Sequence, residues 1–236
     1  MEKKKSSLKI KNVILLVIII VLFIIAIISV YNIIIWHIDN EKTDKQVEKI
    51  NDIVEIQEIE DNDKTLIIQN DENDAFDPYW SYIKMNLINV EFDNLKKENS
   101  DTIGWIQVNG TNINYPFVQS KDNSYYLTHS FNKKYNQAGW VFLDYRNNIQ
   151  KLEKNTIIYA HGRYNGTMFG SLKNILTNGW LKNPDNYVIK LSTEYDNTLW
   201  QVFSIYHIPT TNDYIQTDFN DNSDFYKFAS MIKERS

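Results

Sequence analysis

The sequence predicts a mainly β, antiparallel, barrel-like domain with peripheral helices, carried behind one apolar helix of membrane length. An uncharged run over residues 13–31 comes before everything else. From Ile103 onward, short apolar stretches alternate with polar residues and are bounded by Gly, Asn, Asp and Pro. Two of them, 104–108 and 111–115, are joined by Asn109-Gly110, a dipeptide that favours a tight type I′ hairpin turn.

The N-terminal run holds 19 residues with one Ser and no charge, and residues 33–36 extend it past Asn32. At ~1.5 Å per residue it nearly crosses a hydrocarbon layer of ~30 Å. Lys3, Lys4, Lys5, Lys9 and Lys11 precede it, whereas residues 39–77 hold 14 acids and four Lys. The positive-inside rule then predicts a cytoplasmic tail (1–11), a membrane anchor (12–36) embedded in the lipid bilayer, and everything later outside the cell. A cleavable signal peptide has a shorter apolar region and a small-residue cleavage site, and neither pattern is present.

Residues 37–76 read as an acidic stalk. Val47, Ile50 and Val54 have helical spacing and Glu41/Lys45 stand at i,i+4, so the stalk is either a helix or a solvated spacer. The main domain is expected over 77–236. Asp77-Pro78 resembles an N-cap with Pro at the first helical position, and Ile83, Leu87, Val90 and Leu95 predict a helix up to Lys97. After the hairpin, Asp122 to Leu127 reads as a short helix or turn that buries its aromatics. Strands are predicted over 140–143, 155–160, 187–191 and 199–208, with a short helix over 168–176. Phe225, Phe228, Ala229 and Ile232 predict an amphipathic helix still running at Ser236. That makes about six strands.

Composition narrows the function. Lys+Arg 25 against Asp+Glu 30 gives a mildly acidic chain, which argues against nucleic acid as a partner. With no Cys, these residues form no disulfide, no thiolate metal site and no thiol nucleophile. His37, His129, His161 and His207 are scattered without metal-ligand spacing, so no metal or cofactor is expected. There is also no Gly-x-Ser-x-Gly elbow.

His161 is the candidate catalytic residue. An apolar strand ends on it and a loop with Gly162 and Gly166 follows, so an imidazole that titrates near neutrality sits where backbone approaches a ligand. The alternative is a His that caps a strand end through a hydrogen bond. His129 reads as a surface residue and His207 as a satisfied core or edge residue. Asp144 and Arg146 read as a salt bridge tying down a turn.

Several motifs then combine. They are Gly104-Trp-Ile-x-Val-x-Gly-Thr-x-Ile-x-Tyr-Pro116, Val118-Gln119, Asp122-Asn-x-Tyr-Tyr-Leu127, Gly139-x-x-Phe-x-Asp144, Arg146-Asn147, Asn155-Thr-Ile-Ile-Tyr159 with His161, and Gly166-x-Met-Phe-Gly170. In order and spacing they resemble the class B sortases, over about residues 77–236. The resemblance implies a membrane-anchored cysteine transpeptidase of Gram-positive bacteria, built on a closed eight-stranded barrel with added N-terminal helices. It implies a Cys thiolate that cleaves a sorting pentapeptide after Thr, and transfer of the acyl group to a peptidoglycan cross-bridge amine.

His161 matches the family's catalytic His, and Thr167 and Met168 would line the peptide groove. The family's Thr-Leu-x-Thr-Cys run and its later catalytic Arg have no counterpart in these residues; Arg146, Arg163 and Arg235 do not match the Arg position. The expectation is therefore an incomplete sortase barrel, about six of eight strands, truncated before the catalytic Cys and Arg and inactive without them. A non-catalytic sortase-like surface binding or scaffold protein is the alternative. An unrelated hydrolase using His161 with a metal or a Ser is the third reading, and it lacks supporting motifs.

Overall fold

The apolar residues Trp105, Ile106, Tyr115 and Phe117 are all buried, and in a computed structural model their strands form the centre of a six-stranded sheet covered on both faces. The structure describes residues 2–60, 85–151, 153–209 and 211–236. The chain divides into two units, Met1–Lys45 and Gln46–Ser236.

The first unit is helical. Helix α1 spans Glu2–Ile53, so its final residues belong to the second unit. Its large apolar side chains between Val13 and Ile34 are all exposed, which suits a lipid environment and not a water-facing surface. It is the one helix among the described residues long and apolar enough to cross a membrane. Lys45 and Glu41 form the i,i+4 ion pair that their spacing suggests, at 2.6 Å.

The second unit begins earlier than expected. Residues 46–59, read from the sequence as part of the stalk, belong to it. Ile50 of α1 is buried in the core, and Lys49 pairs with Glu98 at 2.6 Å. Strand β1 (Ile56–Ile59) runs antiparallel to β2 (Leu87–Val90). The helix expected up to Lys97 is corrected here. Asp77, Pro78 and Ile83 lie outside the described residues, Leu87 and Val90 are strand, and only α2 (Asp93–Glu98) is helical. The i,i+3 spacing of Leu87 and Val90 mimics a helix. The buried pair is Ile88 and Val90, with a period of two, because β1 offers these residues a backbone partner.

Strands β3 (Thr102–Val108), β4 (Asn114–Val118), β5 (Phe142–Leu143), β6 (Ile158–Tyr159), β7 (Val188–Ser192) and β8 (Asn197–Gln201) lie in the order β6-β5-β4-β3-β7-β8. The sheet curls into an open half-barrel, the arrangement expected for an incomplete sortase-like barrel. All neighbours are antiparallel except β4 and β5, which meet in parallel at Val118 and Phe142.

The β3–β4 hairpin forms, but not through a two-residue type I′ turn. Val108 donates its amide to Ile113 O at 3.0 Å, and Thr111 Oγ1 donates to Val108 O, so residues 109–112 make a wider loop. Gly110 has φ +68°, and a Cβ there would lie 2.2 Å from Asn186 Oδ1. The strand expected over 199–208 stops at Gln201, and those expected over 140–143 and 155–160 shorten to two residues each.

Trp105, Phe117, Tyr126, Phe131 and Trp140 fill the core. The buried indoles keep partners for their N–H groups: Trp105 donates to Asn114 Oδ1 and Trp140 to Pro116 O. Helix α3 (Asn178–Leu181) precedes β7, and α4 (Asn222–Glu234) is capped by Asp221, whose side chain accepts from the Asp224 amide at 2.8 Å.

Candidate functional site

His161 stands two residues after the end of β6. The backbone closes behind it: Phe169 donates its amide to His161 O at 3.0 Å, and Gly162 and Met168 form an isolated bridge. The loop between them turns at Gly166, with φ +86°. Gly170 has no room for a side chain, since a Cβ there would stand 2.0 Å from Arg163 O. The half-buried imidazole is thus held at the sheet edge by a glycine-dependent loop.

One ring nitrogen of His161 is engaged. Nε2 lies 2.7 Å from the carbonyl oxygen of Leu127. A carbonyl has no proton to give, so Nε2 is the donor and carries hydrogen, and Nδ1 holds the lone pair in the neutral ring. Nδ1 makes no hydrogen bond among the described residues. The carbonyl comes from the short 3-10 helix Tyr125–Leu127, whose start is tied by Asp122 Oδ1 accepting from the amides of Ser124 and Tyr125.

Asp144, at the end of β5, is fully buried and satisfied. Its Oδ1 accepts from Arg146 N and Nε, both at 2.9 Å. Its Oδ2 accepts from Arg146 Nη2 at 2.7 Å, the Tyr159 hydroxyl at 2.8 Å and Asn123 Nδ2 at 2.9 Å. Burial alone would raise this carboxyl, but the hydrogen bonds from Arg146, Tyr159 and Asn123 outweigh it and hold Asp144 well below the usual carboxylate range. Burial, and then donation to Asp144, push the Tyr159 phenol above its ordinary value. The salt bridge read from the sequence is present, with Arg146 also reaching Ile215 O at 2.9 Å.

The other sequence-predicted residues fall as follows. Thr167 is half-buried and its hydroxyl bonds Asn165 Oδ1 at 2.8 Å. Met168 has φ +50° and is fully buried in the core, so its side chain packs inward. His129 is half-buried and stacks on Tyr125 at 4.1 Å. His207 is exposed and lies outside any strand, contrary to the core or edge position expected for it, because β8 has already ended. Sequence reasoning missed Asn123, Tyr159 and the Leu127 carbonyl as neighbours of the site. Inside the half-barrel, Ile106, Ile158, Phe169, Leu172, Ile189 and Leu191 help to line an apolar cavity of about 570 Å³. Among the described residues no group of three His, Asp or Glu is placed to hold a metal ion.

Comparisons with known proteins agree with one another. The chain is 35% identical over 149 residues to sortase B of Staphylococcus aureus, covering 63% of this chain and 60% of that one. It is 37% identical over 147 residues to sortase B of Listeria monocytogenes, covering 62% and 58%. The chain therefore spans about three-fifths of the length of the curated relatives it matches.

Among solved structures, a Staphylococcus aureus sortase B–substrate complex matches with a TM-score of 0.58 at 36% identity, covering 61% of this chain and 66% of that one. The Listeria monocytogenes sortase B structure matches with a TM-score of 0.56 at 37% identity, covering 60% and 80%. No family model matches the chain.

Proposed function

The chain belongs to the sortase B family, and on that premise we propose that it serves sortase transpeptidation at the cell surface, with His161 as the acid/base. The observation that carries this reading is the placement of His161. It stands two residues beyond β6 within a matched fold, with Nε2–H committed to Leu127 O and Nδ1 left for proton transfer. In the reaction proposed, a Cys thiolate attacks the Thr carbonyl of a sorting peptide, the C–S bond forms and the C–N bond breaks. The departing amine takes a proton from Nδ1 of the His161 ring in its doubly protonated form. A cross-bridge amine then attacks the thioester and gives a proton back, and the thiolate leaves.

This chain contains no Cys, so it supplies the acid/base and not the nucleophile. The 236-residue chain is expected to turn over no Thr-containing sorting peptide. Turnover that disappears in His161→Ala would overturn that expectation. A second reading is a sortase-like surface protein that binds sorting peptides without cleaving them. Saturable peptide binding with no acyl transfer, unchanged by His161→Ala, would select it.

The proposed arrangement in the cell is a cytoplasmic tail over 1–11, a bilayer anchor over 12–36 and the rest outside, supported by the lysines before the anchor and the acids after it. Thr167 remains a proposed contact for the peptide, and Met168 would contribute there through its backbone.

A further inference from the structure

His161 and its hydrogen-bond acceptor come from two separate parts of the chain. The imidazole follows β6, and the Leu127 carbonyl ends the loop over 122–127. Among the described residues no backbone ladder pairs β6 directly with that loop. One carboxylate oxygen bridges the two through side chains. Asp144 Oδ2 accepts from Tyr159 OH, two residues before His161, and from Asn123 Nδ2, four residues before Leu127. Asn123 is fixed from its other side as well, because its Oδ1 accepts from the Tyr145 amide at 3.0 Å. The result is a closed ring: imidazole, Leu127 carbonyl, loop, Asn123, Asp144, Tyr159, strand, imidazole.

We propose that Asp144 is a positioning residue for His161: by gathering Tyr159 and Asn123 on one oxygen, it holds the Leu127 carbonyl against Nε2 and so fixes which ring nitrogen carries the proton. The arrangement suits that task. Asp144 is fully buried, its donors come from three places in the chain, and Arg146 occupies both oxygens so that the carboxylate does not rotate. The Leu127 carbonyl is also approached closely by Gly139, where a Cβ would lie 2.9 Å from it, so this oxygen sits in a narrow slot. The proposal rests on the reading of His161 as the acid/base, since a fixed Nε2–H leaves Nδ1 as the basic nitrogen.

The test is a tautomer measurement and needs no turnover, so it fails or succeeds separately from the catalytic reading. The full chain in detergent micelles, labelled with ¹⁵N-histidine, carries four imidazoles, and His161→Gln assigns the one of interest. Above the ordinary imidazole range, near about pH 8.5, ring ¹⁵N shifts report the neutral tautomers. His161 is expected to be overwhelmingly Nε2–H. Tyr159→Phe, which keeps the ring beside Phe142, and Asn123→Ala should each move the tautomer ratio toward Nδ1–H by about fivefold. Asp144→Asn should do the same. Phe117→Leu, a core change outside the ring, should leave the ratio as it was. A mixed or Nδ1–H wild type would overturn the proposal. So would Tyr159→Phe and Asn123→Ala chains that keep the wild-type ratio.

Discussion

The Tyr159 hydroxyl donates to the Asp144 carboxylate at 2.8 Å, linking β6 to the end of β5 where the two strands share only two residue pairs. Side-chain bonds thus do what a longer backbone ladder does elsewhere in the sheet. Their energetic weight has measurable consequences.

The first concerns acid. The folded Asp144 carboxyl lies below its unfolded value of ~3.9, so it stabilises the fold fully above about pH 5. That stabilisation is lost as pH falls through ~3.9 toward the folded value. Asp144→Asn should lower stability at neutral pH by ~2 kcal/mol, since charge-assisted hydrogen bonds are each worth ~1.5–3. It should also flatten the fall in thermal midpoint between about pH 5 and 2. Parallel pH profiles for the two proteins would contradict this.

Gly139 should tolerate no side chain. It has φ +61°, and a Cβ would meet Tyr126 O at 2.4 Å and Leu127 O at 2.9 Å. Left-handed backbone costs an L-residue ~1–2 kcal/mol before any clash. Gly139→Ala is expected to lower the thermal midpoint and to loosen the Leu127 carbonyl. Gly162→Ala, which meets nothing within 4 Å, should be nearly silent.

The phase of β2 can be checked by charge insertion. Ile88 is 3% exposed and faces the core, while Leu87 beside it is half-buried. Ile88→Asp should cost more than ~3 kcal/mol by burying an unpaired charge, and Leu87→Asp much less. Equal losses in chemical denaturation would mean that the period-two assignment is wrong.

Membrane orientation has a direct assay. Protease added to intact protoplasts should digest the part beyond the anchor, because the lysines precede the apolar run and the acids follow it. Full protection of that part would reverse the topology.

Much of this molecule was legible because its local signals agree with one another. The β3–β4 hairpin, the helix α4 and the position of His161 each follow from spacing and glycine placement. The turn at Asn109-Gly110 opened wider because Thr111 supplies its own bonds, to Val108 O and the Ile113 amide. Leu87 and Val90 misled because two residues three apart satisfy a helix, and only the long-range partner β1 decides for a strand. The Leu127 carbonyl was invisible for another reason: a backbone oxygen has no letter in the sequence. Asn123 and Tyr159 had letters but no local pattern, since they meet only through Asp144, 21 and 15 residues away.

The way the sheet is joined divides its mobility. Strand β3 pairs with β4 through five residue pairs and with β7 through four, whereas β5 joins β4 through one, Val118 with Phe142. Amide hydrogen exchange should therefore show two tiers, slow in β3, β4 and β7 and faster in β5 and β6, as expected of separate cooperative units. His161 rides on the faster tier. On that expectation the imidazole leaves the Leu127 carbonyl only when this faster tier opens, while the central strands stay closed.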